Sequence, residues 1–130
     1  MALTLSSVDF IDTTGMRIIV EGTITASGNY GTASSNGDIL SFNVQGVTIP
    51  SGGIPVFVEV FEAPAAGTTQ SGWTYVYNPG TTQNNGIVQV FGNGASGQGQ
   101  SQYTQGAAYA SATPAVPATL KLRAYFPKGQ

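Results

Sequence analysis

The sequence predicts an all-β protein: an antiparallel β-sandwich of seven or eight short strands, with a jelly roll as one connectivity open to it. Three observations predict it. Apolar and polar residues alternate with period two in several separate windows, which is the signature of a strand with one buried face. Gly, Pro and Asn-Gly punctuation separates those windows at spacings of about ten residues. No window carries an apolar stripe of helical period; Glu, Lys, Arg and Leu are scarce, and there are 18 glycines.

The elements follow in chain order. "ALTLSSV" reads as an initial short strand. In "GMRIIVEGTITASG", Met16, Ile18, Val20 and Ile24 share the inner parity, against Arg17, Glu21, Thr23 and Thr25, with Ile19 as the exception. "DILSFNVQGV" places Leu40, Phe42 and Val44 inward and Ser41, Asn43 and Gln45 outward, between the turn sequences "SNGD" and "IPSGG". "IPVFVEVFE" sets Val56, Val58 and Val60 against Phe57, Glu59 and Phe61. "WTYVYN" and "GIVQVFG" flank the loop "NPGTTQNNG" as a hairpin. "ATLKLRAYF" alternates most cleanly, with Leu120, Leu122, Ala124 and Phe126 opposed to Lys121, Arg123 and Tyr125. "AAYASA", residues 107–112, is the one place for a helical turn. Residues 92–106 are rich in Gly, Ser and Gln; this segment is a loop, mobile alone or ordered by a neighbour. Nothing marks a second domain, so residues 1–130 are read as one. Lys121, Arg123 and Lys128 lie at the C-terminus, and every acid precedes Ala63. Opposite charges on neighbouring strands attract, so strand 119–126 is expected beside an acidic N-terminal strand, first of all 16–25.

Composition narrows function. There is no Cys and no His, which removes thiolate chemistry, imidazole acid/base chemistry and the commonest metal ligand. Charged residues are 8% of the chain, against about 25% in ordinary globular proteins. With four cations and a net charge of −2, displacement of counterions from a nucleic acid has little support. "MALTLSSVDF" has no basic segment followed by a long apolar run, so a signal peptide is not expected. No stretch is apolar enough to span a membrane as a helix. The expected origin is a cytoplasm.

The acids form no catalytic set. Asp9 and Asp12 are close enough to consider Ca²⁺, but no third acid is near them in sequence, and capping a turn is the commoner use of Asp. Glu59 and Glu62 are three apart on a strand and point to opposite faces, so a carboxylate pair would need Asp38 or Glu21 from elsewhere. No serine has an obvious activating base. "GNGASGQG" has no Lys and no helix after it, so it is not a phosphate loop. The expectation is a protein without catalytic residues, metal or cofactor.

What remains is surface. From Ala63 to Leu120 there is no Asp, Glu, Lys, Arg or His. Interface centres are depleted in charge, and Tyr and Trp are enriched there. Trp73, Tyr75 and Tyr77 form an aromatic stripe, which either packs in the core or at a subunit contact, or stacks on sugar rings. The strand around Phe57 and Phe61 is apolar on both sides, as in strands covered on both faces. The candidate interface is therefore Phe57, Phe61, Trp73, Tyr75 and Tyr77, with Tyr103 and Tyr125.

"MALTL", "GDILSFNVQGVTIPSGGIPVFVEV", "SGWTYVYNPGTTQNNGIVQVFG" and "LKLRAYFPK" together resemble a group of short tailed-bacteriophage proteins encoded with the head genes. The likeness covers most of residues 37–126. It lies in Gly-Asp before a strand, Tyr-x-Tyr-x-Pro-Gly-Thr, Asn-Gly, and a strand ending in Phe. The resemblance implies a minor capsid, decoration or cement protein, a β-sandwich outside the major capsid lattice, with no catalytic signature. It implies the major capsid protein as partner, other copies of the chain on the shell, and a place on the capsid surface. A carbohydrate-binding or host-surface-binding module on the particle is the competing reading.

Overall fold

The computed structural model describes residues 3–31, 37–44, 47, 49, 53–63, 66–68, 71–93, 99–112 and 114–128. In chain order the strands are β1 (Leu3–Asp12), β2 (Arg17–Ala26), β3 (Asp38–Leu40), β4 (Phe57–Phe61), β5 (Thr74–Asn78), β6 (Gly86–Asn93), β7 (Gln100–Gln102) and β8 (Thr119–Pro127). A single 3₁₀ turn, Tyr109–Ser111, sits where a helical turn was expected. No helix among the described residues is long and apolar enough to cross a membrane.

The strands form two antiparallel sheets, packed as a sandwich. The first has the order β1-β2-β8-β4. In the second, β6 is central, with β5 along one side and both β3 and β7 along the other. β1 and β2 are hairpin neighbours within one sheet. The alternation of β2 and β8 explains the core directly. Ile18, Val20, Ile24, Leu120, Leu122, Ala124 and Phe126 are buried, and Val58 and Val60 of β4 continue the layer. Leu40, Val88 and Val90 face them from the second sheet, and Phe42 meets Phe126 edge-on with centroids 5.1 Å apart. Each such Val, Leu, Ile or Phe side chain contributes roughly 1.5–3 kcal/mol on burial.

The expected charge pairing is the one found. β8 runs antiparallel to β2 from Arg17↔Pro127 to Thr25↔Thr119. Arg123 binds Glu21 at 2.5 Å, and Lys121 Nζ lies 3.7 Å from Asp9. These pairs are exposed and add a few tenths of a kcal/mol at most.

Four expectations need correction. Met16 is not an inward residue; it is 94% exposed in the β1–β2 turn. The chain reverses there because Asp12 Oδ1 accepts hydrogen bonds from the Thr14 N–H (2.9 Å) and hydroxyl (2.7 Å). The initial strand is longer than "ALTLSSV", and two register shifts, at Leu5/Ser7 and Val8/Phe10, break its alternation. A bulge changes which face the following residues meet, and Phe10 ends up exposed. In "DILSFNVQGV" only the start is strand; Leu40 and Phe42 are buried as expected, and Gln45 lies outside the described residues. The Gly/Gln-rich segment is not all loop. Its Gln100–Gln102 stretch pairs with β6, and Gln102 Nε2 donates to the Tyr30 hydroxyl at 2.6 Å; residues 94–98 lie outside the described residues.

Candidate interaction surface

The charges are segregated by sheet. Asp9 and Asp12 are on β1, Arg17 and Glu21 on β2, Glu59 on β4, Lys121 and Arg123 on β8, and Lys128 just beyond it. The remaining two acids, Asp38 and Glu62, are buried. The outer face of the second sheet therefore carries no ionisable group. Ile39 of β3, Ile87, Gln89 and Phe91 of β6, and Thr74, Val76 and Asn78 of β5 alternate with the buried Leu40, Val88 and Val90. Its polar groups bind one another: Asn78 Nδ2 donates to Gln89 Oε1 at 2.6 Å, and Gln100 Nε2 donates to Thr74 Oγ1 at 3.1 Å.

This neutral face continues round one edge. β4 and β5 are the terminal strands of their sheets and run alongside each other. Between them lies an open groove of about 340 Å³, walled by Val56, Phe57 and Val58 on one side and Tyr75, Val76 and Tyr77 on the other. A smaller hollow of about 190 Å³ follows it, with Phe61, Glu62, Trp73 and Tyr75 in its wall. Ile54, Val56, Phe57, Phe61 and Val76 are all exposed along this edge.

The seven candidate residues separate into three groups. Phe57, Phe61 and Tyr125 face outward on the first sheet; Phe57 is 53% exposed, and its ring lies 5.7 Å from that of Tyr125. Trp73 and Tyr103 lie inward, in an aromatic cluster with Tyr30 and Tyr109. The Trp73 indole donates to the Pro114 carbonyl at 2.7 Å, and the Tyr103 hydroxyl donates to the Ala108 carbonyl at 2.7 Å. Tyr75 and Tyr77 also pack against the core, and both line the groove. The aromatic stripe is thus the inner face of β5, and the opposite parity, Thr74 and Val76, is the one offered to a partner. The small size of those two side chains is consistent with the packed reading of the stripe. Phe91 and Ile87 were missed because their strand reads as apolar on both sides.

Buried polar groups lock the aromatic layer in place. The Glu62 carboxylate accepts the Ser71 N–H (2.7 Å), the Ser71 hydroxyl and the Tyr75 hydroxyl (3.1 Å). Burial first, and then Glu62, push the Tyr75 hydroxyl far above the ordinary phenol range. Burial alone pushes Tyr77 up to about 12, and its hydroxyl has no hydrogen-bond partner among the described residues. Asp38 accepts the Tyr109 hydroxyl and the Gly31 N–H (2.8 Å). Asp9 accepts Ser7 (2.9 Å) and Thr23 (2.7 Å). Asp9 and Asp12 are therefore each engaged by local hydroxyls, and among the described residues no three acids come together.

No protein-family model, no curated protein and no solved structure matches this chain.

Proposed function

We propose that the protein is a virion structural component that docks on the outside of a capsid shell and stabilises it, without catalysis. The observation that carries this reading is the neutral outer face of the second sheet, continuous with the apolar β4–β5 edge. A face free of ionisable groups can be covered by another protein without burying a charge, which would cost several kcal/mol. Its amides and hydroxyls can exchange water for a neighbour's backbone at little net cost. The resemblance of the sequence to short phage head-gene products supplies the kind of assembly. Repetition supplies the strength: on a shell with many equivalent sites, copies that also touch one another need only modest affinity each. The inward placement of Trp73, Tyr75 and Tyr77 leaves that stripe without the flat exposed rings that sugar stacking requires.

The test adds purified protein to undecorated shells of the major capsid protein from the same source genome and counts bound copies. Wild type and Met16→Asp, altered at a turn away from the edge, should decorate the shells. Phe61→Asp should not, although circular dichroism shows it folded. Shells ignored by the wild type, together with a Trp73 fluorescence response to a polysaccharide, would transfer the assignment to carbohydrate binding.

A further inference from the structure

β4 carries one charge on its outer face, and that charge is placed between two aromatic rings. Phe57, Glu59 and Phe61 alternate with the buried Val58 and Val60, so all three project to the same side. At a rise of about 3.3 Å per residue, each ring is centred roughly 7 Å along the strand from Glu59.

The cations that might neutralise Glu59 are turned away from it. Arg123 is its register partner across the β4–β8 ladder, yet the guanidinium reaches the other way, to Glu21 on β2. Lys121, opposite Phe61, reaches to Thr23 (3.0 Å) and Asp9. Among the described residues Glu59 has no ion pair. β4 is also the last strand of its sheet, and among the described residues it pairs only with β8. An edge strand presents a row of backbone donors and acceptors to whatever adds beside it.

We propose that the free edge of β4 takes an extended segment of the partner protein as an added strand, and that this segment places an Arg or Lys opposite Glu59. The inference rests on the docking reading above and names its contact. Backbone hydrogen bonds hold the added strand, and its alternate side chains give specificity. Apolar side chains two residues to either side cover the rings. Those at odd offsets turn toward the groove beside Tyr75 and Val76. A second copy of this chain is the wrong occupant, because a symmetric β4–β4 pair centred on Glu59 sets two carboxylates opposite each other.

Two nine-residue peptides of alternating valine and threonine test this, one with a central arginine and one with a central glutamate. The wild type should bind the arginine peptide at least about tenfold more tightly, with slowed hydrogen exchange at the Phe57–Phe61 amides. Glu59→Lys, an exposed change that leaves the core intact, should reverse the preference. Equal binding of both peptides, no binding of either, or an unchanged preference in Glu59→Lys overturns the inference. Shells that bind wild type and Glu59→Lys alike overturn it as well and leave the docking reading standing. Peptide discrimination by a protein that ignores shells keeps the strand-addition site and removes the shell.

Discussion

Asp38 shows what a single carboxylate does inside an otherwise neutral half of the molecule. Burial holds its carboxyl above the ordinary value of 3.8, while the Tyr109 hydroxyl and the Gly31 N–H pull the other way. The same burial, with Asp38 alongside, holds the Tyr109 hydroxyl far above the phenol range. A carboxyl raised on folding stabilises the fold fully below its unfolded pKa and loses that contribution as pH rises through its folded one. Asp9 and Asp12 are lowered, chiefly by hydrogen bonds from Thr23 and Thr14, so their contributions act above 3.8 and fade in acid. Asp38→Asn keeps an acceptor for Tyr109 and cannot ionise. Its stability relative to wild type should therefore rise between about pH 3.5 and pH 7. Thermal midpoints of the two proteins across that range measure it; a constant gap would take Asp38 out of the pH response.

At the scale of elements, β5 and β6 are fitted to each other by size. Trp73 and Tyr77 lie across β6 at its two inward glycines, so a Cβ on Gly92 would strike the indole ring and one on Gly86 the Tyr77 phenol. Gly92→Ala should cost about 1–3 kcal/mol, as overpacking does, and should shift Trp73 emission; urea unfolding followed by fluorescence reads both. An unaltered midpoint would mean that the indole has room to move. Legibility in the sequence varied strand by strand for physical reasons. β2 and β8 were readable because their regular pleat keeps every second side chain in the core. β1 was readable only in part, since two register shifts change its inner parity midway. β7 was not readable at all: Gln, Ser and Gln have no strand pattern, and pairing with β6 makes them one. Of the candidate site, Phe57, Phe61 and Tyr125 were legible as outward aromatics. The inward turn of Trp73, Tyr75 and Tyr77 was legible only as one of two alternatives, because a strand's period says which residues share a face and not which face meets the core.

Across the whole molecule the sandwich has a charged side and a neutral side. The neutral side predicts how attachment responds to salt. At about 0.5 M salt the Debye length is only a few Å, while apolar burial is undiminished or strengthened by excluded salts. Wild-type decoration of shells should therefore persist there. The increment due to Glu59, measured against Glu59→Gln, should shrink over the same range. Copies bound per shell at low and high salt give both numbers. Decoration that vanishes at high salt would move docking to the ion-paired strands β1, β2 and β8.

The sequence by itself determined the class of fold, the pairing of β8 with β2 and the absence of imidazole and thiol chemistry, because these follow from local period, charge order and residue inventory. Only the tertiary structure decided which face of β5 is buried, where Asp38 and Glu62 hide, and that the charged residues outside the core gather on one sheet. The reason is that each of these depends on which strands become neighbours. The chain brings Asp38 to Tyr109, or Glu59 to Arg123, from distant parts of its length, and nothing local to either residue encodes the meeting.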